Sequence, residues 1–219
     1  MIENLMCVDW RKSYTAWNRH LGHGTTELIA FYLVWDLPRS KSKADSNLYC
    51  KVENGNPMML LLYVDDLFVI GMDGLIVDVK GKLTAEFEMK DLGMMHYFLG
   101  IYVWQNVDGI FLWQGKYAVE ILKRFEMMEC KAITTPMASN LKLLSDSSSE
   151  TVDATMYRQI IGSLMYLMNT RPDKCFAVNT LSQFLTDPRH VHLIAAKHIL
   201  RYLRGTIDYG LKYEAKSED

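Results

Sequence analysis

The sequence predicts an α+β chain: an antiparallel sheet unit carrying helices, followed by a smaller helical unit. Three observations predict it. Two apolar runs, Met58-Met59-Leu60-Leu61-Leu62 and Leu67-Phe68-Val69-Ile70, each have the length of a buried strand and flank Tyr63-Val64-Asp65-Asp66. Leu75, Val79, Leu83 and Phe87 then recur every four residues, the spacing of one helical face. Beyond the polar stretch Ser145-Asp146-Ser147-Ser148-Ser149-Glu150, three helical segments follow with start and stop signals of their own.

Residues 1–40 show no clean periodicity, with Trp10, Trp17 and Trp35 scattered and His20-Leu21-Gly22-His23-Gly24 reading as loop. Asn47-Leu48-Tyr49-Cys50-Lys51-Val52 alternates like a strand, and Glu53-Asn54-Gly55-Asn56-Pro57 supplies a hairpin turn into the two apolar runs. Asp73 opens the helix of the Leu75 stripe, and Asp91-Leu92-Gly93 ends it. Residues 96–104 read as one strand, turned by Asn106-Val107-Asp108-Gly109 into Ile110-Phe111-Leu112-Trp113. A helix over about 116–125 places Val119, Leu122 and Phe125 on one side. After the polar stretch, a helix over about 155–170 faces Tyr157, Ile160, Ile161, Leu164 and Leu167 inward. Pro172 starts a second helix, and Asp187-Pro188 a third that Gly205 closes.

With 219 residues, about half of them apolar, the chain has ample material for a core. A formal charge of -2 gives no global attraction to nucleic acid or to an anionic membrane, so a polyanion site requires local clustering. The four cysteines, at 7, 50, 130 and 175, form no close pair, which argues against a zinc site or a disulfide framework and for a reducing, intracellular setting, cytoplasmic or nuclear. No run reaches the roughly 18 apolar residues of a membrane span, and no secretory signal is expected.

Two adjacent carboxylates, Asp65 and Asp66, sit at the tip of the predicted hairpin. They repel each other, and a divalent cation held between them would resolve that repulsion. A solvated turn is the competing explanation, since Asp tolerates turn geometry. Against it, the hairpin lacks the Gly or Asn that tight turns favour, and Tyr63 sets an aromatic surface beside the acids. Elsewhere, Lys197, Arg201 and Arg204 share one face of the last helix, where they either track phosphates or form an ordinary solvated face.

From about Lys41 to Tyr213 the chain resembles the reverse transcriptase of copia-type retrotransposon polyproteins. The resemblance rests on an ordered series of stretches. They include Ser42-Lys43-Ala44-Asp45, Tyr63-Val64-Asp65-Asp66, Phe87-Glu88-Met89-Lys90-Asp91-Leu92-Gly93 and His96-Tyr97-Phe98-Leu99-Gly100. Thr170-Arg171-Pro172-Asp173 and Arg201-Tyr202-Leu203-Arg204-Gly205-Thr206 complete it. The resemblance implies a polymerase palm-like sheet over 41–135, a linker over 136–154, a helical thumb-like subdomain over 155–213 and a tail over 214–219. Residues 1–40 match the family poorly. It further implies a Mg²⁺ site of the two-metal kind, with Asp65 and Asp66 as its hairpin carboxylates. Tyr63, with Val64 beside it, would meet the primer terminus, and Phe98, Leu99 and Gly100 would grip the primer. Lys90 would protonate leaving pyrophosphate, unless it is a solvated lysine at a helix end. Lys197, Arg201 and Arg204 would contact the nucleic-acid backbone. The implied partners are an RNA or DNA template-primer, deoxynucleotides and the remainder of a polyprotein.

The departures matter equally. The family's chemistry needs a third carboxylate on an earlier strand, and nothing before Ser42 reads as that strand; Asp9 and Asp36 lie in unsuitable surroundings. The fingers segment and the ribonuclease H domain are also missing, and residues 20–38 depart from the family as a shifted reading frame would. The expectation is therefore a reverse transcriptase fragment with little or no activity alone. The alternatives are a non-catalytic nucleic-acid-binding module and an unselected retrotransposon remnant.

Overall fold

In the computed structural model, residues 4–9, 48–63, 66–86, 90–138 and 150–215 are described, with 4–9 described by their backbone alone. The expectations for residues 10–47, Val64, Asp65, Phe87, the 145–149 stretch and the tail beyond 215 lie outside them. Chain contacts divide the molecule into two compact units, Met1–His96 and Tyr97–Asp219.

The first unit is a five-stranded antiparallel sheet with one helix. Strands β1 (Asn4–Asp9), β2 (Leu48–Glu53), β3 (Asn56–Tyr63), β4 (Asp66–Gly71) and β5 (Lys90–Met94) lie in the order β2-β3-β4-β1-β5. Asn54-Gly55 joins β2 to β3 with both residues at positive φ (50° and 82°), the geometry of a two-residue hairpin turn, and Asn and Gly tolerate it best. Met58, Leu60 and Leu62 are buried in alternation along β3. On β4, Leu67, Phe68 and Val69 are all buried, so this strand is covered on both faces. Helix α1 (Asp73–Glu86) closes the core with Ile76, Val79 and Leu83. Val79 and Leu83 of the predicted stripe are buried as expected, whereas at its start Ile76 takes the buried place and Leu75 packs only at the margin. Burying each such side chain contributes roughly 1.5–3 kcal/mol.

Two expectations fail in this unit. A strand does precede Ser42: β1 pairs antiparallel with β4 on one side and β5 on the other. The alternation of Leu5, Met6, Cys7, Val8 and Asp9 is too short and too mixed to announce a strand by itself, and its pairing partners lie some sixty residues away. Asp91-Leu92-Gly93 is no helix stop either, but part of β5. Lys80 of α1 bonds both carboxylate oxygens of Asp91 at 2.8 and 2.7 Å, fastening the helix to that edge strand. Burial works against the ionised form of Asp91. The hydrogen bonds from Lys80 and the Gly93 amide, with the Lys80 charge, outweigh it and hold its carboxyl below the ordinary value.

The second unit joins a four-stranded sheet to a helical bundle. Strands β6 (Tyr97–Phe98), β7 (Ile101–Asn106), β8 (Gly109–Trp113) and β9 (Leu211–Glu214) follow one another in the sheet. The strand expected over 96–104 is therefore two strands, broken at Leu99-Gly100. Helices α2 (Gly115–Arg124), α3 (Ala154–Leu167), α4 (Cys175–Ser182) and α5 (His190–Gly205) build the bundle. The five side chains expected to face inward from α3 are all buried, and Tyr157 is locked by donating to the Leu181 carbonyl at 2.8 Å. Asp153 caps α3 through the amides of Thr155 and Met156. Pro172 opens a single 3-10 turn (Pro172–Lys174) before α4. On α5 the cap is Arg189, whose amide donates to Nδ1 of His192; Asp187 instead pairs with the Arg189 guanidinium.

Arg171 ties this bundle together. Its guanidinium donates to Asp173 at 3.0 and 2.8 Å, and to both the carbonyl and the hydroxyl of Thr206 at 2.7 Å. It also lies over the rings of Tyr202 and Tyr209. The Arg171-Pro172-Asp173 turn is thereby bonded to the end of α5. Burial opposes the ionised Asp173. The hydrogen bond and charge of Arg171 win, helped by Tyr202 and Lys174, so its carboxyl lies below the ordinary value.

Lys174 is fully buried beside this hub, and its Nζ has no hydrogen-bond partner among the described residues. Burial, with the Arg171 charge, pushes it down to about 7 from 10.5. Between those values the unfolded chain holds a proton that the folded chain has lost, so folding strengthens as pH rises through that window. We expect urea midpoints of the chain to increase from pH 7 to pH 9.5. Lys174→Met should flatten that rise and raise the midpoint at pH 7, where an unpaired amine gives way to an apolar side chain.

Candidate active site

The β3–β4 hairpin pairs Tyr63 with Asp66, which leaves a two-residue connection, Val64 and Asp65. Both strands reach this end with buried side chains, Leu62 on one and Leu67 on the other, so the tip stands on a packed base. Tyr63 is 42% exposed and Asp66 half-buried at the first position of β4. Asp65 and Val64 lie outside the described residues.

The register carries this row further. Asp66 is the Cα partner of Asp9 on β1, and Asp9 is in turn the partner of Lys90 on β5. Four adjacent strands therefore bring Tyr63, Asp66, Asp9 and Lys90 to one end of the sheet. Sequence reasoning had selected three of these positions and set Asp9 aside. The signal that finds Asp9 is long-range pairing, which no local pattern around it contains. Lys90 is exposed at the first residue of β5 rather than at a helix end. Among the described residues no group of three His, Cys, Asp or Glu side chains forms a metal-binding cluster; Asp65 and the side chain of Asp9 lie outside that set.

In the second unit, Phe98, Leu99 and Gly100 form the β6–β7 turn. Phe98 pairs with Ile101, and Leu99 and Gly100 both take positive φ, 46° and 77°. Gly accepts that geometry freely, whereas a leucine there costs roughly 1–2 kcal/mol. The Leu99 carbonyl accepts a hydrogen bond from the Tyr166 hydroxyl of α3. That hydroxyl also lies 3.3 Å from where a Cβ on Gly100 would stand, so residue 100 has little room for a side chain. The Leu99 side chain is half exposed. An apolar side chain held in a strained turn, facing solvent, is an arrangement that folding alone does not favour.

On α5, Lys197 is exposed, while Arg201 and Arg204 are half-buried. Arg201 Nε donates to the Lys131 carbonyl at 2.8 Å, and Arg204 Nε to the Met128 carbonyl at 2.7 Å. The predicted basic face is thus partly occupied by the chain's own residues.

A family model described as reverse transcriptase (RNA-dependent DNA polymerase) matches residues 17–139. The chain belongs to the copia-type reverse transcriptase family. It is 42% identical over 171 residues to the retrovirus-related Pol polyprotein from transposon RE1 of Arabidopsis thaliana, covering 78% of this chain and 12% of that protein. The corresponding polyprotein from transposon TNT 1-94 of Nicotiana tabacum is 42% identical over 177 residues, 76% of this chain and 13% of the relative. A putative transposon Ty5-1 protein of Saccharomyces cerevisiae is 34% identical over 205 residues, 92% of this chain and 64% of the relative. The chain therefore spans about an eighth of the plant polyproteins it matches. No solved structure matches it. Strand β1 lies ahead of the residues that the family model matches. No helix among the described residues is long and apolar enough to cross a membrane.

Leu99→Asn replaces a strained leucine with a residue that tolerates left-handed backbone. It should raise denaturant stability by about 0.5–1 kcal/mol, measured by urea melts. Tyr166→Phe, which removes the donor to the Leu99 carbonyl, should lower it by a similar amount.

Proposed function

We propose that the chain carries the palm of an RNA-directed DNA polymerase and that nucleotidyl transfer belongs to the β3–β4 tip. Asp65 and Asp66 are the hairpin carboxylates, and Asp9 is the third. The observation that carries this reading is the cross-strand row of Tyr63, Asp66, Asp9 and Lys90. Register partners in an antiparallel pair share a face of the sheet, so positions 66 and 9 lie on one face without a special loop. The expected inactivity rests largely on a missing acidic strand, and β1, which ends in Asp9, is our candidate for that strand.

Carboxylate oxygens are the hard donors that Mg²⁺ prefers, so this residue set fits the divalent ions the family uses. Two such ions would activate the primer hydroxyl and neutralise charge on the departing pyrophosphate. The chain's own residues have distinct tasks around them. Asp65, Asp66 and Asp9 would supply the carboxylate ligands. Tyr63 offers a flat surface to the primer terminus, with Val64 beside it. Lys90 carries an ammonium at the same end of the sheet, able to give a proton to leaving pyrophosphate. Phe98, Leu99 and Gly100 form the turn that touches the primer, which gives the strain at Leu99 a use. Lys197, Arg201 and Arg204 belong to the thumb-like helical unit and form the basic face turned to the template-primer backbone, with Lys197 exposed and the two arginines half-buried. The partners are an RNA or DNA template-primer and deoxynucleotides, within a polyprotein such as those of the relatives.

The test is primer extension on an RNA template with Mg²⁺, read beside Mn²⁺ affinity by titration calorimetry. Asp65→Asn, Asp66→Asn and Asp9→Asn should each cut extension by about 100-fold or more and weaken Mn²⁺ binding. Unchanged extension and Mn²⁺ affinity in Asp9→Asn would remove it from the site. A wild-type chain that binds template-primer yet never extends it would leave only a nucleic-acid-binding module.

A further inference from the structure

Residues 128–135 form a strap that leaves α2 and runs along α5. Three side chains of that helix hold it through its backbone. Arg204 Nε donates to the Met128 carbonyl at 2.7 Å, Arg201 Nε to the Lys131 carbonyl at 2.8 Å, and His198 Nε2 lies 3.0 Å from the Thr135 carbonyl. The strap approaches closely: a Cβ on Gly205 would stand 3.0 Å from the Ala132 Cβ. Met127, Met128 and Met137 pack into the bundle core at its ends.

These contacts divide the basic face into two kinds of residue. Arg201 and Arg204 are half-buried and each commits its Nε–H to a carbonyl of the strap. The side chains of Lys197 and Lys131 are exposed. Lys197 lies one helical turn, about 6 Å along the axis, from Arg201, whose guanidinium grips the residue that bears the Lys131 side chain. The acidic groups nearest in the chain are Glu126 and Glu129, both exposed.

Resting on the nucleic-acid reading above, we propose that the phosphate backbone is met by Lys131 of the strap together with Lys197, and that Arg201 and Arg204 are positioning residues that clamp the strap so that Lys131 stands beside the helix. Lys131 is assigned neither by the pattern of α5 nor by the polymerase site. A lysine on a loop adds little to phosphate binding if the loop must be ordered on contact, because fixing each residue costs backbone entropy. Two carbonyl clamps meet that cost during folding. The arginines therefore contribute to affinity through Lys131 rather than by touching phosphate.

The test measures binding of the 219-residue chain to an RNA–DNA primer-template duplex across a salt series. Each phosphate contact contributes about 0.9 to the slope of log affinity against log salt. Lys131→Gln and Lys197→Gln should each lower the slope by about one, and Glu129→Gln should raise affinity. Arg201→Met should lower it by about one alone and by nothing further on a Lys131→Gln background, since it acts through that residue. A further drop in the double variant would mean that Arg201 touches phosphate itself. A slope unchanged in Lys131→Gln while the wild type binds would overturn this proposal and leave the nucleic-acid reading standing. A wild type that binds no duplex at low salt would overturn both. The clamp is checked separately, without nucleic acid, by amide hydrogen exchange over 128–137. Faster exchange there in Arg204→Met, with the α3 amides unchanged, is expected; equal exchange would remove the clamp.

Discussion

Side-chain period in a β-sheet is two, and a slip of one residue sends every side chain to the opposite face. The proposed site depends on that constraint. Leu60, Leu62, Leu67 and Val69 are buried in the same core, and they set the register in which Tyr63 faces Asp66 and Asp66 faces Asp9. The acids stand at the end of this register. Their positions follow from the greasy residues behind them, several kcal/mol of burial that a slipped register would forfeit. The geometry of this hairpin end is a consequence of core packing, and its precision is that of the core.

The second unit uses polar chemistry for the same end. Its bundle is assembled from apolar helix faces, yet the joints between elements are side-chain-to-backbone bonds. Tyr157 reaches the Leu181 carbonyl, Arg171 the Thr206 carbonyl, Tyr166 the Leu99 carbonyl, and Arg201 and Arg204 the strap. Carbonyls at helix ends and in loops have no partner of their own, and leaving them buried and unmet is costly. This explains why arginine and tyrosine, rather than more leucine, recur in the stretches that carry the family resemblance.

What could be read from the sequence divides along the range of the interactions. The inward residues of α3 and the apolar run of β3 are local patterns, and both form the expected elements. The Asn54-Gly55 turn is legible for the same reason, being fixed by the backbone freedom of two residues. Leu99-Gly100 is a turn of the same two-residue kind, but a leucine in the left-handed position disguises it as continuous strand. Strand β1 is invisible locally, since its partners β4 and β5 lie some sixty residues and more away. The clamps at Arg201 and Arg204 escape for a different reason. A basic helical stripe has the same spacing whether it holds phosphate or a carbonyl from its own chain.

That last ambiguity has a physical resolution. An arginine committed through Nε to a backbone carbonyl keeps its charge, so the α5 face remains electropositive even where its donors are used. Long-range attraction of a polyanion depends on the summed field, whereas a specific phosphate contact needs a free donor at the right distance. The two functions can therefore be carried by different residues of one surface. In the proposed arrangement, half-buried arginines fix the geometry and add to the field, and exposed lysines, compact charges on flexible stems, make the contact. With a net charge of only -2 spread over the whole chain, a local arrangement of this kind suffices to attract nucleic acid without an overall basic character.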